Sequence, residues 1–355
     1  MLRTVLALAL LLVLGIGAFT YRTLRDAGAF ITLEPHVDGV CEHVPGVVGS
    51  EDLTIHPRTG IAYVSSSDRR SAAAGRPRPG GIYAYDLDRR TSGFENLTPD
   101  RGLDFQPHGI SLVVGADGRE TLFVVNHPGL AGREPAHTIE VFDLVDGALR
   151  YRRSIRGAEH LIMPNDIVGV DAERFYLTNT HANPPGAVQT VETYLKLSGA
   201  RVVFFDGQAF RTAIADLTLP NGINLSADGR SLYVATSTQR SLRIYDRDPV
   251  SEALSFRNEI FVGSGLDNVE VDAGGALWIG AHPQLLKVGP HGADPANRSP
   301  SQVVRVDPAS GEVREVYLDE GEFSGSSVAA VRGRRMLVGQ IFYDGILDCT
   351  LSTAE

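Results

Sequence analysis

Pro164-Asn165-Asp166-Ile167, followed by the strand-like Phe175-Tyr176-Leu177, is one copy of a two-part pattern that recurs along the chain. Upstream, the pattern reads Ser50-Glu51-Asp52-Leu53 with Ile61-Ala62-Tyr63-Val64, then Pro107-His108-Gly109-Ile110 with Leu122-Phe123-Val124-Val125. Downstream, it reads Pro220-Asn221-Gly222-Ile223 with Leu232-Tyr233-Val234, Leu266-Asp267-Asn268-Val269 with Leu277-Trp278-Ile279, and Gly325-Ser326-Ser327-Val328 with Met336-Leu337-Val338. From Glu51, His108, Asn165, Asn221, Asp267 and Ser326 to Tyr63, Phe123, Tyr176, Tyr233, Trp278 and Leu337 the offsets are 12, 15, 11, 12, 11 and 11. The apolar runs are β-branched or aromatic, as buried strands require. Turn signals such as Ala116-Asp117-Gly118 and Ala227-Asp228-Gly229 separate phrase from strand. A further strand follows in most units and ends on Asp, as in Ile139-Glu140-Val141-Phe142-Asp143 and Leu242-Arg243-Ile244-Tyr245-Asp246. The units repeat at 57, 57, 56, 46 and 59 residues, enough for a four-stranded blade and a loop. Six blades predict an all-β fold, a six-bladed β-propeller. The expected organisation is a hydrophobic helix over 1–30 and one propeller domain over 31–355.

The chain has 355 residues, with 43 acidic and 33 basic side chains and a formal charge of −10. That balance, with no Lys/Arg run, argues against nucleic acid as a partner. Val5 to Phe19 is apolar behind Arg3, the pattern of a secretory signal or a short anchor. Helical spacing continues through Tyr21-Arg22-Thr23-Leu24-Arg25 without a small-residue cleavage site, which favours a retained signal-anchor. The expected location is therefore secreted, periplasmic or membrane-anchored outside the cytoplasm. Cys41 and Cys349 are the only cysteines, too few for a zinc ribbon or an iron–sulfur cluster. They either pair across the first and last structured segments, closing the ring, or remain buried thiols. From Ala187 to Leu197, Val188, Val191, Tyr194 and Leu195 share a helical face while Glu192 and Lys196 can stay wet. This insert reads either as a lid or membrane-contacting helix, or as packing for its own blade.

A propeller brings equivalent residues of successive blades to one end of its axis. The phrases then offer carboxylates from Glu51 and Asp267 and carboxamides from Asn165, Asn221 and Asn268, the oxygen donors of a hard cation. Ca²⁺ accepts six to eight oxygens in flexible geometry, so it matches better than Zn²⁺ or Mg²⁺. Turns also collect Asn, Asp and Gly, but turn chemistry does not require a nearly constant offset from the next strand. Asp52 and Asp166 lie one residue deeper, where they either hold a second ion with the Ile110 carbonyl or bond backbone amides. His108 sits in the ligand phase without being an oxygen donor, and His127 ends the neighbouring strand, so the two form a candidate acid–base pair. His282 occupies the equivalent place in the fifth blade. No G-x-S-x-G elbow, P-loop or G-x-G-x-x-G opening a helix occurs.

These phrases, with Val124-Val125-Asn126-His127-Pro128, resemble those of the serum paraoxonase/arylesterase family from about Gly39 to Cys349. The resemblance implies a six-bladed propeller holding two calcium ions. The catalytic ion would be held by Glu51, Asn165, Asn221, Asp267 and Asn268, and the structural one by Asp52, Asp166 and the Ile110 carbonyl. It also implies a His108–His127 dyad, a Cys41–Cys349 disulfide, and lipid-surface anchoring by the uncleaved N-terminal helix and the mid-chain helix. The implied activity is lactone hydrolysis, on N-acyl-homoserine or other lipophilic lactones, with aryl esters and organophosphate triesters as broader substrates. One departure is Asn179-Thr180-His181, where the family often has Asn-Asp-His, so a carboxylate near the site is missing. Two other functions remain open at this stage: a sugar-acid lactonase of the gluconolactonase kind, and a non-enzymatic propeller stabilised by calcium.

Overall fold

The apolar run that ends each repeat is buried on both faces: residues 121–126, 231–236 and 277–282 are covered throughout. A strand with no wet face must lie inside a sheet and between sheets, and this drives the architecture. The computed structural model describes residues 2–89, 93–128 and 137–353. Its strands form six antiparallel sheets, the blades of a six-bladed β-propeller. Blade 1 begins at Leu53–Ile55, blade 2 at Pro107–Val114 and blade 3 at Pro164–Gly169. Blade 4 begins at Pro220–Leu225, blade 5 at Gly265–Val271 and blade 6 at Ser326–Arg332. Gly39–Val48 supplies the outer strand of blade 6 by pairing with Asp344–Leu351, so the two ends of the propeller close the ring. Cys41 lies opposite Cys349 in that pairing, and the two form a disulfide.

The apolar core is distributed around the ring, one cluster at each junction between neighbouring blades. Between blades 4 and 5, for example, Leu242 and Ile244 pack with Leu277 and Ile279; between blades 2 and 3, Phe123 packs with Phe175. Corresponding clusters fill the other four junctions. Each blade thus covers the next, and the central ends of the first strands are free to carry polar side chains.

Among the described residues four α-helices accompany the blades: α1 (Leu2–Asp26), α2 (Arg69–Ala73), α3 (Ala187–Leu195) and α4 (Val288–Ala293). Helix α1 buries no residue and is long and apolar enough to cross a membrane. Its C-terminal end is tied to the propeller where Lys196 Nζ meets Asp26 Oδ2 at 3.0 Å and the Leu285 amide donates to the Ala27 carbonyl. The orientation of α3 differs from the sequence-based expectation. Val188, Val191, Tyr194 and Leu195 are exposed, whereas Glu192 is buried. Glu192 turns inward because its carboxylate accepts from the Ala182 amide and from Asn183 Nδ2, satisfying the loop beneath. Lys196 is paired with Asp26, and the apolar stripe is left facing outward.

Candidate metal centre and active site

Five of the six phrases that open the inner strands, those of blades 2 to 6, share a local irregularity. Register shifts fall between Pro107 and Ile110, Pro164 and Ile167, Pro220 and Ile223, Leu266 and Val269, and Ser326 and Val328. Such a bulge breaks the strict in–out alternation of a strand and re-aims side chains. It explains how the consecutive residues Asp267 and Asn268 both take part in one network around Glu51. Neighbouring blades touch closely at these bulges. A Cβ on Gly222 would stand 2.3 Å from the Asp267 carbonyl oxygen, and one on Gly109 would stand 2.5 Å from that of Asn165.

Four of the five residues singled out for a first ion present an oxygen without a hydrogen-bond partner. Asn268 gives its Nδ2 to the Glu51 backbone carbonyl and to Glu51 Oε1, each at 3.0 Å, leaving its Oδ1 bare. Asn221 directs Nδ2 at Ser237 Oγ at 3.3 Å, and Asn165 places Nδ2 3.1 Å from His108 Nε2. Their Oδ1 atoms, and Glu51 Oε2, are buried without a hydrogen-bond partner, although Arg69 Nη2 stands 3.9 Å from Glu51 Oε2. Asp267 differs: its Oδ2 lies 2.9 Å from His282 Nε2, so His282 braces the carboxylate from behind. Leaving one buried acceptor unpaired costs about 1–3 kcal/mol, so a set of four is far from a typical core.

Charge tells the same story. Burial pushes the Glu51 carboxyl up to about 7, with the nearby Asp267 adding to the effect and Arg69 opposing it. Asp52 and Asp166 are also raised, first by burial and then by neighbouring carboxylates, Glu51 for Asp52 and Asp52 for Asp166. Buried anions that raise one another's pKa call for a positive charge among them. The oxygen-only set of Glu51, Asn165, Asn221, Asp267 and Asn268 fits a calcium ion. Among the described residues no group of three or more His, Cys, Asp or Glu side chains is gathered as a metal site, in keeping with donors that are mostly carboxamides.

Asp52 and Asp166 take the amide-bonding role. Asp52 accepts from the Leu53 amide at 2.9 Å and, across the junction, from the Ile110 amide at 2.7 Å. Asp166 accepts from Ile167 and from Ile223 of the next blade, both at 2.7 Å. Each aspartate therefore bolts its blade to the following one, and each carboxylate oxygen still has lone-pair capacity for an ion. Ser326 turns away and bonds the backbone of blade 5, but Ser327 Oγ donates to the Glu51 carbonyl at 2.6 Å.

The histidines lie together in an unexpected arrangement. His108 and His127 meet edge to face, with ring centroids 4.9 Å apart, and share no hydrogen bond among the described residues. His108 Nδ1 instead accepts from Arg69 Nη2 at 2.8 Å. His127 Nδ1 lies 2.8 Å from His137 Nδ1. Burial lowers the pKa of all three imidazoles; Arg69 adds to this for His108, and His137 adds to it for His127. Each ring is thereby biased toward its neutral form. Sequence reading missed Arg69 and His137. Arg69 lies beyond the strand of blade 1, where the repeat carries no signal, and His137 immediately precedes the third strand of blade 2.

A cavity of about 500 Å³ opens on the same face, between the end of α1, helix α3 and the loop carrying α4. Ala27, Tyr194, Leu219, Leu285 and Leu286 form its apolar side, and His181 lies in its wall.

Comparison with known proteins places this geometry in context. The sequence profile described as Arylesterase matches residues 36–351. Serum paraoxonase/arylesterase 2 of Rattus norvegicus is 31% identical over 326 residues, covering 88% of each chain. Serum paraoxonase/arylesterase 1 of Homo sapiens is 30% identical over 357 residues, covering 95% of this chain and 97% of its own. Among solved structures, a gluconolactonase of Xanthomonas campestris superposes with a TM-score of 0.55 at 17% identity, over 91% of this chain and 99% of its own. A calcium-binding regucalcin of Agrobacterium tumefaciens superposes at 0.53 and 14%, over 91% and 94%. These two show a shared propeller fold. The sequence matches, which span nearly the whole ring, go further: the chain belongs to the arylesterase family.

Proposed function

We propose that this protein is a calcium-dependent hydrolase that opens lactones and cleaves aryl esters, with organophosphate triesters as side substrates. The observation that carries the reading is the set of four buried oxygens without a hydrogen-bond partner on Glu51, Asn165, Asn221 and Asn268, beside the edge-to-face pair of His108 and His127. Those residues with Asp267 would hold the catalytic ion, and Asp52, Asp166 and the Ile110 carbonyl a second, structural one. When bound, calcium supplies positive charge that stabilises the oxyanion developing at the substrate carbonyl. The chain's own residues handle the rest. Asn165 and Asn221 orient the reacting group, and the His108–His127 pair manages the proton of the attacking water. Ser237, Ser327 and His282 hold three of the ligand residues in place.

The apolar side of the neighbouring cavity, formed by Ala27, Leu219, Leu285 and Leu286, suits a lipophilic acyl group, while Thr193, Gln189 and His181 on its other side offer polar partners. Helix α1 and the exposed stripe of α3 lie on this same face, and we read them as a signal-anchor and a lipid-surface contact that hold the protein outside the cytoplasm. Membrane-partitioned esters would then meet the cavity directly. A purified sample is tested against a long-chain acyl lactone, gluconolactone and an aryl ester, before and after chelation and after calcium is returned. The proposal expects lactone and aryl-ester turnover that vanishes on chelation and returns with calcium. Preference for gluconolactone would favour a sugar-acid lactonase, and calcium-dependent stability without turnover would favour a non-enzymatic propeller.

A further inference from the structure

Helix α2 carries two consecutive arginines that go separate ways. Asp68 caps the helix, accepting from the Ser71 amide at 3.0 Å and from Ser71 Oγ at 2.6 Å. Arg70 reaches toward α4: it donates to the carbonyls of Phe342 at 2.9 Å and His291 at 2.6 Å, and its guanidinium lies over the Phe342 ring, 5.1 Å from the centroid. With α2 fastened on that side, Arg69 is left to the metal centre. Its Nη2 meets His108 Nδ1 at 2.8 Å and stands 3.9 Å from Glu51 Oε2.

The other arm of the guanidinium is caged by backbone. Nη1 sits among three carbonyl oxygens, those of Gly49 and Ile341 at 3.3 Å and that of Ser67 at 3.4 Å. Gly49 precedes the first strand of blade 1, Ser67 follows its second strand (Ile61–Ser66), and Ile341 follows the second strand of blade 6 (Arg335–Gln340). Together with His108 on blade 2, one side chain therefore bridges three blades at the seam where the ring closes. Glycine makes the cage possible. A Cβ on Gly49, whose φ is +63°, would stand 2.4 Å from the Ser67 carbonyl oxygen, 2.8 Å from that of Ile341 and 3.1 Å from Arg69 Nη1.

A guanidinium stays charged throughout the range in which proteins work. Desolvation lowers the pKa of Arg69, and the carboxylates of Glu51 and Asp267 both oppose that effect. Arg69 is thus a permanent positive charge beside two of the residues that would hold calcium. Without the ion, it offsets part of the repulsion among buried carboxylates. With the ion, a charge pinned by three carbonyls remains close to another of the same sign, and the two repel. We infer that Arg69 is a positioning residue of the calcium centre, a fixed cation that holds the ligand cluster together before the ion arrives and loosens the grip on the ion afterwards. The site is thereby kept in shape for calcium without binding it irreversibly.

Arg69 can act on calcium only if Glu51, Asn165, Asn221, Asp267 and Asn268 bind it, so the inference rests on that reading, and two measurements separate their fates. Calorimetric calcium titration is run well above the Glu51 pKa of about 7, so that a proton does not compete for the carboxylate. It compares the wild type with Arg69→Lys, which keeps the charge, Arg69→Gln, which keeps hydrogen-bond donors, and Arg69→Met, which keeps neither; the relevant site is the one that Glu51→Gln weakens. Thermal unfolding follows the same proteins in chelator. The two uncharged variants are expected to bind calcium about tenfold more tightly than the wild type, with Arg69→Lys within about threefold of it. In chelator, Arg69→Met is expected to melt about 2–4 °C below Arg69→Lys. Uncharged variants that bind calcium no more tightly than the wild type overturn the inference. So does the failure of both to fold even with calcium, which marks a purely structural residue. A wild type that binds no calcium sinks the metal reading instead; the melting temperatures in chelator then judge the holding role alone, and equal values for Arg69→Lys and Arg69→Met overturn it.

Discussion

At Glu51 a proton and a metal ion compete for one carboxylate. Without a cation its pKa is pushed up to about 7, chiefly by burial. Binding an ion at or below that pH must expel the proton, so calcium affinity should weaken as pH falls below about 7, by up to tenfold per unit from this group alone. Isothermal titration calorimetry at several pH values measures this, and Glu51→Gln, which cannot ionise, should flatten the dependence. The proton-handling pair is open to a plainer test. His127→Gln is expected to lower kcat on a lactone by a factor on the order of 10² to 10⁴, the usual range for losing a general base. A rate near wild type would remove His127 from the chemistry. At this scale the sequence was informative where a residue belongs to the repeat: Glu51, Asn165, Asn221 and Asp267 could be named because they keep a common phase, and Asn268 because it adjoins Asp267. Arg69 and His137 could not be. Their importance comes from partners in three dimensions, His108 on the next blade for one and His127, ten positions earlier, for the other.

The inner-strand bulge is the element that turns a strand into a site. Because residues alternate across a regular strand, consecutive side chains such as Asp267 and Asn268 would otherwise face opposite ways. The bulge also leaves so little room that glycine backs the ligands of the next blade. Gly222→Ala would drive a methyl against the Asp267 carbonyl oxygen and the Asn268 Cα, 2.3 and 2.8 Å away. Overpacking of that kind costs about 1–3 kcal/mol. Thermal unfolding should show the loss, and calcium binding should weaken with it. Gly289→Ala, with open space around the position, serves as the control and should change neither. Helix α3 shows where periodicity stops being informative. The spacing of Val188, Val191, Tyr194 and Leu195 identified the helix and its apolar stripe, but which side faces the blades was decided by the hydrogen bonds Glu192 makes to Ala182 and Asn183. A carboxylate with two donors below it outweighs the tendency of an apolar face to turn inward.

For the whole molecule, the ring is closed by the pairing of Gly39–Val48 with Asp344–Leu351 and by a disulfide spanning 308 residues. A crosslink over so long a segment restrains the unfolded chain strongly, and removing such a bond costs about 2–5 kcal/mol. The Cys41→Ser, Cys349→Ser double variant should therefore unfold at lower denaturant while keeping its activity when folded, since the bond lies in the outer strands of blade 6 and away from the ligand phrases. The arrangement of six blades was legible because one unit recurs with turn signals and apolar strands in fixed order. The closure was legible because only two cysteines exist and they flank the ring. The central claim concerns what the closed ring holds: oxygens from four of its blades gather on one cation. Anomalous diffraction from crystals grown with calcium locates the ion directly. The account predicts a peak about 2.3–2.6 Å from Glu51 Oε2, Asn165 Oδ1, Asn221 Oδ1 and Asn268 Oδ1. Calcium-replete crystals with no peak there, or with those oxygens turned to other partners, would contradict it.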